Sequence, residues 1–195
     1  MQLVLITPPT INSTEPQLCN ALFAAGLQVL HVRKPTAAVQ EVRHYLQQLD
    51  SQYLQRVMVH QHHDLAFDFN LKGIHFKEKD RPAPPITRTR PGLFQSTSLH
   101  SITEVLQDWQ NLDYAFLSPI FDSISKEGYA AANFDPVRLT TALGTAQMPV
   151  YALGGITSER LPAVRDMGFA GAGILGAVWA TEDPVASFKQ FQQQL

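Results

Sequence analysis

The sequence has one cysteine, no long run of like charge, and no apolar run of the length needed to cross a bilayer. A single Cys19 excludes an intrachain disulfide. With 15 basic and 17 acidic residues, the chain lacks the excess positive charge that binds nucleic acids and anionic membranes. Its first residues also lack the basic and apolar regions of a signal peptide. We therefore expect a cytoplasmic protein that binds a small molecule, with no nucleic-acid partner and no membrane.

The length of 195 residues and the hydrophobic content of 45% suit one well-buried core, and they are too small for two ordinary domains. We expect a single domain over residues 1–195. Association into a homo-oligomer is compatible with a domain of this size, but no stretch of the sequence identifies an interface.

Short runs of Val, Ile, Leu and Phe recur along the chain, and most are followed by apolar residues at helical spacing. The runs predict strands at Leu3–Thr7, Val29–Arg33, Val57–His60, Gly73–Phe76, Leu93–Ser96, Tyr114–Ser118, Val150–Gly154 and Gly171–Gly176. The spaced segments predict helices at Glu15–Ala25, Ala37–Leu49, Ile102–Gln110, Pro136–Ala146, Ser158–Met167 and Pro184–Gln193. No clear helical pattern follows the third and fourth strands.

Eight alternating strand and helix steps favour a parallel sheet that is covered by helices. Eight strands also favour closure of that sheet into a (β/α)8 TIM barrel, with a doubly wound open sheet as the alternative. The chain is shorter than the roughly 250 residues typical of this barrel, so we expect shortened helices around strands four and five.

Functional residues of such a barrel lie just after the carboxyl ends of its strands. Polar residues occupy these places after strands two to six: His31, Arg33 and Lys34; His60 and Gln61; His75 and Asp80; Ser96, Ser98 and His100; and Ser118. Because so many strand ends are polar, the cluster indicates a site at the barrel mouth. His44 lies in a helical pattern, and we leave it out of the site.

Glycines mark the ends of the last two strands. Gly154 and Gly155 close strand seven, while Gly171 and Gly176 flank strand eight. Glycines let backbone N–H groups approach phosphate oxygens, and this barrel commonly holds phosphate after these two strands. The pattern therefore favours a phosphate site over glycines that serve only tight turns.

A long segment without clear periodicity, residues 119–135, follows strand six. Its Ser123, Ser125 and Lys126 offer hydroxyl donors and a positive charge to an anion. A connection of this length without a helix is more often functional than passive, so we predict a mobile loop over the site rather than an ordinary polar loop.

Five strand ends carry distinct motifs: His31-Val-Arg33-Lys34, Gly73-Ile-His75 with Asp80, Ser96-Thr-Ser98-Leu-His100, Ser118-Pro119 followed by Ser123-Ile124-Ser125-Lys126, and Ala152-Leu-Gly154-Gly155-Ile156. These motifs span nearly the whole chain and resemble those of the thiamine phosphate synthase and thiazole tautomerase family. The family's strand-two motif is Gln-x-Arg-x-Lys. Here histidine replaces the glutamine and the lysine is displaced by one position.

The resemblance implies a phosphorylated thiazole as the ligand and assigns residues to it. The expected thiazole phosphate contacts are Ser123, Ile124, Ser125, Gly155 and Gly176. The expected pyrimidine and diphosphate contacts are His31, Arg33, Lys34, His60, Ser98 and Lys126. His100 matches the histidine that serves as acid or base in the tautomerase branch, and imidazole suits proton transfer near neutral pH.

The metal site departs from the family pattern after strand three, where the family has Asn-Asp and this chain has His60 and Gln61. Gln61 replaces one metal-binding aspartate, which leaves Asp80 as the single inherited carboxylate. Mg²⁺ prefers carboxylate oxygens, so the magnesium site is weakened. This loss favours a tautomerase, which needs no cofactor, over a Mg²⁺-dependent synthase that joins hydroxymethylpyrimidine diphosphate to thiazole phosphate.

Two other hypotheses stay open. His31, His60 and His75 end neighbouring strands, with His62 close by in sequence, so imidazoles from these strands could hold zinc. Alternatively, the chain binds thiazole phosphate or thiamine phosphate without turnover.

Overall fold

The fold is a closed barrel of eight parallel strands in sequence order. The computed structural model describes residues 1–78, 81, 90–109, 111–122, 132 and 134–195. The strands are β1 Gln2–Ile6, β2 Val29–Val32, β3 Val57–Val59, β4 Gly73–Phe76, β5 Phe94–Leu99, β6 Tyr114–Leu117, β7 Val150–Leu153 and β8 Gly171–Ile174. The predicted TIM barrel and its eight strands are confirmed, and the open-sheet alternative is wrong because β1 pairs with β8.

Helices follow most strands, and several are short. They are α1 Glu15–Ala24, α2 Val39–Gln47, α3 Leu65–Asp68, α4 Ile102–Val105, α5 Pro136–Thr145, α6 Leu161–Asp166, α7 Gly176–Trp179 and α8 Pro184–Gln192, with 3-10 turns at Ser51–Arg56 and Ser158–Arg160. The six predicted helices are present, but α4 ends five residues earlier than predicted. Together with α3, it confirms the shortened helices around strands four and five. The short helices α3 and α7 were not predicted.

Capping side chains explain where α5 and α8 begin. Asp135 Oδ1 accepts a hydrogen bond from the Arg138 N–H at 2.8 Å, and Pro136 opens α5. Asp183 Oδ1 accepts from the N–H groups of Val185 and Ala186 at the start of α8. An aspartate followed by proline satisfies the free N–H groups of the first turn and presets the helical backbone.

The barrel lumen is divided between apolar and polar side chains. A small apolar cluster includes Val4, Ile6, Val29, Met58, Tyr114, Phe116 and Tyr151. Beside it lie polar side chains of β2 to β5, which include His31, His75 and Ser96, all buried. A larger apolar cluster packs between the strands and the outer helices. Within the described ranges, no helix is both long and apolar enough to span a bilayer.

Gly73 on β4 lies where the barrel has no room for a side chain. A Cβ at this position would lie 2.0 Å from the Phe94 carbonyl oxygen and 2.9 Å from the Met58 sulfur. In contrast, a Cβ at Gly144 in α5 would meet no atom within 4 Å. The two glycines therefore give a matched test of how tightly β4 packs.

We expect Gly73→Ala to lower the free energy of unfolding by about 1–3 kcal/mol, because the backbone of β5 must move away. Gly144→Ala should leave it unchanged or raise it by up to about 1 kcal/mol, since alanine favours a helix over glycine. Urea denaturation of both variants measures the difference. Equal stability of the two variants would contradict the tight packing of β4.

Candidate active site

A cavity of about 530 Å³ opens at the carboxyl ends of β1, β2, β6, β7 and β8. Its wall is mostly apolar and includes Trp179. Gly155 and Gly176, which we predicted as phosphate contacts, both line it. Among the described residues of the wall, Arg33 is the one charged side chain. The predicted contacts Ser123, Ile124, Ser125 and Lys126 lie outside the described residues, as does most of the predicted loop.

The glycines after β7 allow two loops to approach each other closely. Gly154 and Gly155 have φ values of +99° and +63°. A Cβ at Gly155 would lie 2.2 Å from the Asp122 carbonyl oxygen. The Phe121 N–H donates to the Gly154 carbonyl oxygen at 3.1 Å. Tight packing against the β6 loop therefore explains these glycines even without a ligand, and phosphate binding at Gly155 stays a prediction.

Arg33 lines the cavity directly after the end of β2. Its backbone N–H donates to the Thr7 hydroxyl at 3.0 Å, which ties the end of β2 to β1. Within the described ranges, no carboxylate forms a salt bridge with Arg33. An anionic ligand in the cavity would therefore meet a cation whose backbone is held by β1 and which forms no salt bridge with a described carboxylate.

Lys34 does not line the cavity, so its expected contact with a diphosphate is not available in this conformation. Its ammonium is fully buried and donates to both Glu15 carboxylate oxygens at 2.7 Å and to the carbonyl oxygens of Pro8 and Thr10. Burial lowers the pKa of Lys34, and Glu15 opposes this shift. Arg33 therefore lines the cavity, whereas its neighbour Lys34 is enclosed by the loop after β1 and by α1.

His100 lies beside the cavity rather than in its wall. Its Nδ1 is 3.0 Å from the carbonyl oxygen of Ser118, a residue that does line the cavity. A carbonyl oxygen only accepts, so Nδ1 carries the proton and Nε2 keeps a lone pair. The His100 backbone N–H donates to Glu104 Oε2 at 2.7 Å, and Glu104 also pairs with Arg81. The His100 ring is thus oriented by the backbone of a residue of the cavity wall, and its role as acid or base stays a prediction.

Three histidines from neighbouring strands meet inside the lumen. His31 Nδ1 lies 2.9 Å from His60 Nε2, and the rings of His60 and His75 stack with centroids 4.0 Å apart. Burial lowers the pKa of all three, that of His75 to about 3, so the imidazoles are neutral. The structure confirms that these strand-end histidines converge. His62 bonds to the Ala37 carbonyl oxygen instead and lies outside the cluster.

Hydroxyl groups complete the bonding of this histidine cluster. The Tyr114 hydroxyl bonds to His31 Nε2. His75 bonds through Nδ1 to Ser96 at 2.9 Å and through Nε2 to Ser98 at 3.2 Å. Ser98, predicted as a ligand contact, therefore has a partner in the lumen. None of these side chains lines the described cavity wall, so their predicted contacts with a pyrimidine stay predictions.

The end of β3 does not offer the ligands that Mg²⁺ prefers. Gln61 Oε1 already accepts from the Lys34 backbone N–H at 3.0 Å, and Gln61 Nε2 is a buried N–H donor. His60 supplies an imidazole, whereas Mg²⁺ takes hard oxygen ligands. Asp80, the one inherited carboxylate, lies outside the described residues. The described donors of this strand end do not fit magnesium.

The whole barrel, including its mouth, matches known proteins. The sequence profile of a family described as thiamine monophosphate synthase matches residues 3–178. The chain belongs to this family. A thiamine-phosphate synthase of Caldivirga maquilingensis is 25% identical over 170 residues, which cover 85% of this chain and 82% of that protein. A thiamine-phosphate synthase of a Synechococcus species is 27% identical over 97% of this chain, which spans 55% of that protein.

Solved structures agree with this assignment. The crystal structure of thiamine phosphate pyrophosphorylase from Bacteroides thetaiotaomicron aligns with a TM-score of 0.84 and 30% identity, covering 100% of this chain and 97% of that one. The corresponding protein from Pyrococcus furiosus, at 20% identity, shows the same fold with a TM-score of 0.81 over 99% of this chain and 94% of its own. The expected family is confirmed, and these relatives carry the name of the synthase rather than the tautomerase.

Sequence reasoning missed Trp179 and the loop after β1 as parts of the cavity. The Trp179 indole N–H donates to the Ile6 carbonyl oxygen at 2.8 Å, which places the ring over the end of β1. Pro8 and Pro9 line the same side. The available signal was a tryptophan three residues after Gly176. It was weak, because Trp179 lies in the four-residue helix α7, which is too short to show a helical pattern in the sequence.

The position of Lys34 leads to a stability prediction. Lys34→Met leaves the Glu15 carboxylate buried without its cation, and we expect a loss of about 3–5 kcal/mol in the free energy of unfolding. Arg43 pairs with Asp68 at the surface, where both side chains are more than a third exposed. Arg43→Met should cost under about 1 kcal/mol. Denaturant unfolding measures both, and similar small losses would argue against a structural role for Lys34.

Proposed function

We propose that this protein is a thiamine phosphate synthase that joins hydroxymethylpyrimidine diphosphate to thiazole phosphate and releases pyrophosphate. The main support is the set of relatives of that name, which align along the barrel. This proposal reverses the preference for a tautomerase that the residues after strand three suggested. The feature of this chain that carries the proposal is Arg33 in the wall of a glycine-rich cavity.

The cavity suits a phosphorylated heteroaromatic molecule. Gly155 and Gly176 bring backbone close to the cavity at the ends of β7 and β8, where backbone N–H groups can meet a phosphate. Leu153, Leu175 and Trp179 form an apolar wall against which a thiazole ring can pack. Pockets of this kind combine an apolar lining with a few placed polar groups.

In the proposed reaction, the bond between the pyrimidine methylene carbon and the diphosphate oxygen breaks, and the thiazole nitrogen forms a new bond to that carbon. The leaving pyrophosphate carries negative charge that a cation must stabilise. Arg33 is the described cation available in the cavity. Because the described donors do not fit Mg²⁺, we assign no step to a metal.

A second candidate function is the tautomerase reaction, and the geometry of His100 favours it. With Nδ1–H bound to the Ser118 carbonyl oxygen, Nε2 can accept and return a proton beside the cavity. Proton transfer on a thiazole phosphate carboxylate would use the same phosphate-binding site and would need no metal. The two reactions can therefore be told apart. The synthase needs hydroxymethylpyrimidine diphosphate as a second substrate, whereas the tautomerase needs one substrate and depends on His100.

The synthase proposal is tested by incubating the full chain with thiazole phosphate, hydroxymethylpyrimidine diphosphate and Mg²⁺, and measuring thiamine phosphate by chromatography. We expect product, and Arg33→Gln should lower kcat/KM by about 10- to 100-fold because a charge-assisted bond to the anion is lost. Arg43→Gln, an exposed change on α2, should leave kcat/KM unchanged.

The same assay can overturn the proposal. Absence of thiamine phosphate, while a relative's synthase is active under the same conditions, rejects the transferase. Binding of thiazole phosphate without any turnover, measured by quenching of Trp179 fluorescence, would instead support the binding-protein hypothesis.

The tautomerase is tested with the thiazole phosphate carboxylate tautomer as the single substrate. If it is turned over, we expect His100→Asn to slow conversion by about 10²- to 10⁴-fold, the usual contribution of a positioned acid or base. His44→Asn, also at an exposed position, serves as the control. Conversion at the normal rate by His100→Asn would remove His100 from the mechanism.

A further inference from the structure

The histidine cluster of His31, His60 and His75 uses chemistry that the proposed reaction does not need. Their ligand nitrogens all lie within 4.8 Å of one another, and all three residues are buried, with exposures of 0%, 8% and 2%. Each comes from a different neighbouring strand, so the barrel backbone holds them together. His60, the most exposed, is nearest to solvent.

We propose that His31, His60 and His75 form a metal site for a borderline transition-metal ion of the Zn²⁺ class. Imidazole nitrogen suits Zn²⁺, Cu²⁺ and Ni²⁺, whereas Mg²⁺ selects oxygen ligands. Three protein ligands leave a fourth position for water, as in zinc sites that retain an open coordination place. The inference is independent of the proposed transferase reaction.

The ring geometry comes close to what zinc requires. With Zn–N bonds of about 2.0–2.1 Å, tetrahedral imidazoles have ring centroids about 5 Å apart. His31 meets this condition with both partners, at 5.1 Å from His60 and 5.4 Å from His75 and with steep interplanar angles. The His60 and His75 rings, stacked at 4.0 Å, must separate by about 1 Å and turn.

Hydrogen bonds around the cluster can orient the ligands. Metal-bound histidines usually direct the second ring nitrogen to an oxygen of the protein. His31 directs Nε2 to Tyr114, which leaves Nδ1 for the ion. His75 contacts Ser96 and Ser98, so it gives up one serine on binding and keeps the other.

Burial of the cluster is compatible with neutral imidazole ligands. Metal binding requires neutral imidazole, and it releases a proton from any histidine that is charged. Burial lowers the pKa of each of the three histidines, in the direction that favours the neutral form. The positive charge of Arg33 further lowers the pKa of His60 and His75.

The test uses the full chain, purified without a polyhistidine tag and stripped with a chelator. Calorimetric titration with ZnCl2 should show one bound equivalent, and MgCl2 should show no binding at this site. Co²⁺ should give the visible absorption of a tetrahedral nitrogen-ligated ion. Because these readouts use no substrate, they succeed or fail independently of the transferase assay.

Single substitutions in and outside the histidine cluster test where the ion binds. His60→Gln should weaken Zn²⁺ binding by at least about 100-fold, and Tyr114→Phe, which changes only a partner of a ligand, by about 10- to 100-fold. His44→Asn removes an exposed histidine of α2 and should leave the affinity unchanged. Circular dichroism of each metal-free variant establishes that it is folded.

The proposal is overturned if the wild-type chain binds no Zn²⁺ at a tenfold excess, a result that depends on no variant. It is also overturned if folded His60→Gln keeps the wild-type affinity, or if His44→Asn loses it, because the ion would then lie elsewhere.

Discussion

The lumen of the barrel has room for few side chains, and this limit governs where the polar groups of the protein lie. Glycines of β4 and β8 provide space. A Cβ at Gly173 would lie 2.9 Å from the Phe116 ring, and one at Gly171 would lie 3.0 Å from Tyr151. A polar group that enters this crowded interior must find a partner there, since burial without a hydrogen bond is costly. The imidazoles consequently bond to one another and to hydroxyl groups.

This constraint divides the mouth of the barrel into two unlike halves. On the side of β1 and β6 to β8, glycines and apolar residues leave an open cavity with Arg33 at its edge. On the side of β2 to β5, the space is filled by imidazole rings and serine hydroxyls. The open half suits a phosphorylated ring. The filled half instead presents imidazole nitrogens that bond to one another and to hydroxyl groups.

A displacement by one residue changed the role of the strand-two lysine. In the family motif Gln-x-Arg-x-Lys, the three named residues are two apart and can share one side of an extended chain. In this chain Lys34 directly follows Arg33, so its side chain leaves the mouth and pairs with Glu15 in the interior. The same positive charge that could have bound a ligand now connects the β1 loop to α1.

The architecture could be predicted from the amino-acid sequence alone, because alternating apolar runs and helical spacing are local signals. It located all eight strands, six of the eight described α-helices and the strand ends that carry polar residues. It also placed Arg33, Gly155 and Gly176 at the barrel mouth, because these residues lie at the carboxyl ends of predicted strands. The family followed from motifs that lie at those same positions.

Which of these side chains contact one another could be seen only in the folded barrel. The register between strands brings His31, His60 and His75 together and sets His100 against Ser118. It also shows that Gly155 is required by the Asp122 backbone, and that Trp179 covers β1. Periodicity specifies the face on which a residue lies, but contacts between distant segments depend on strand register and the space left by neighbours, which no local pattern contains.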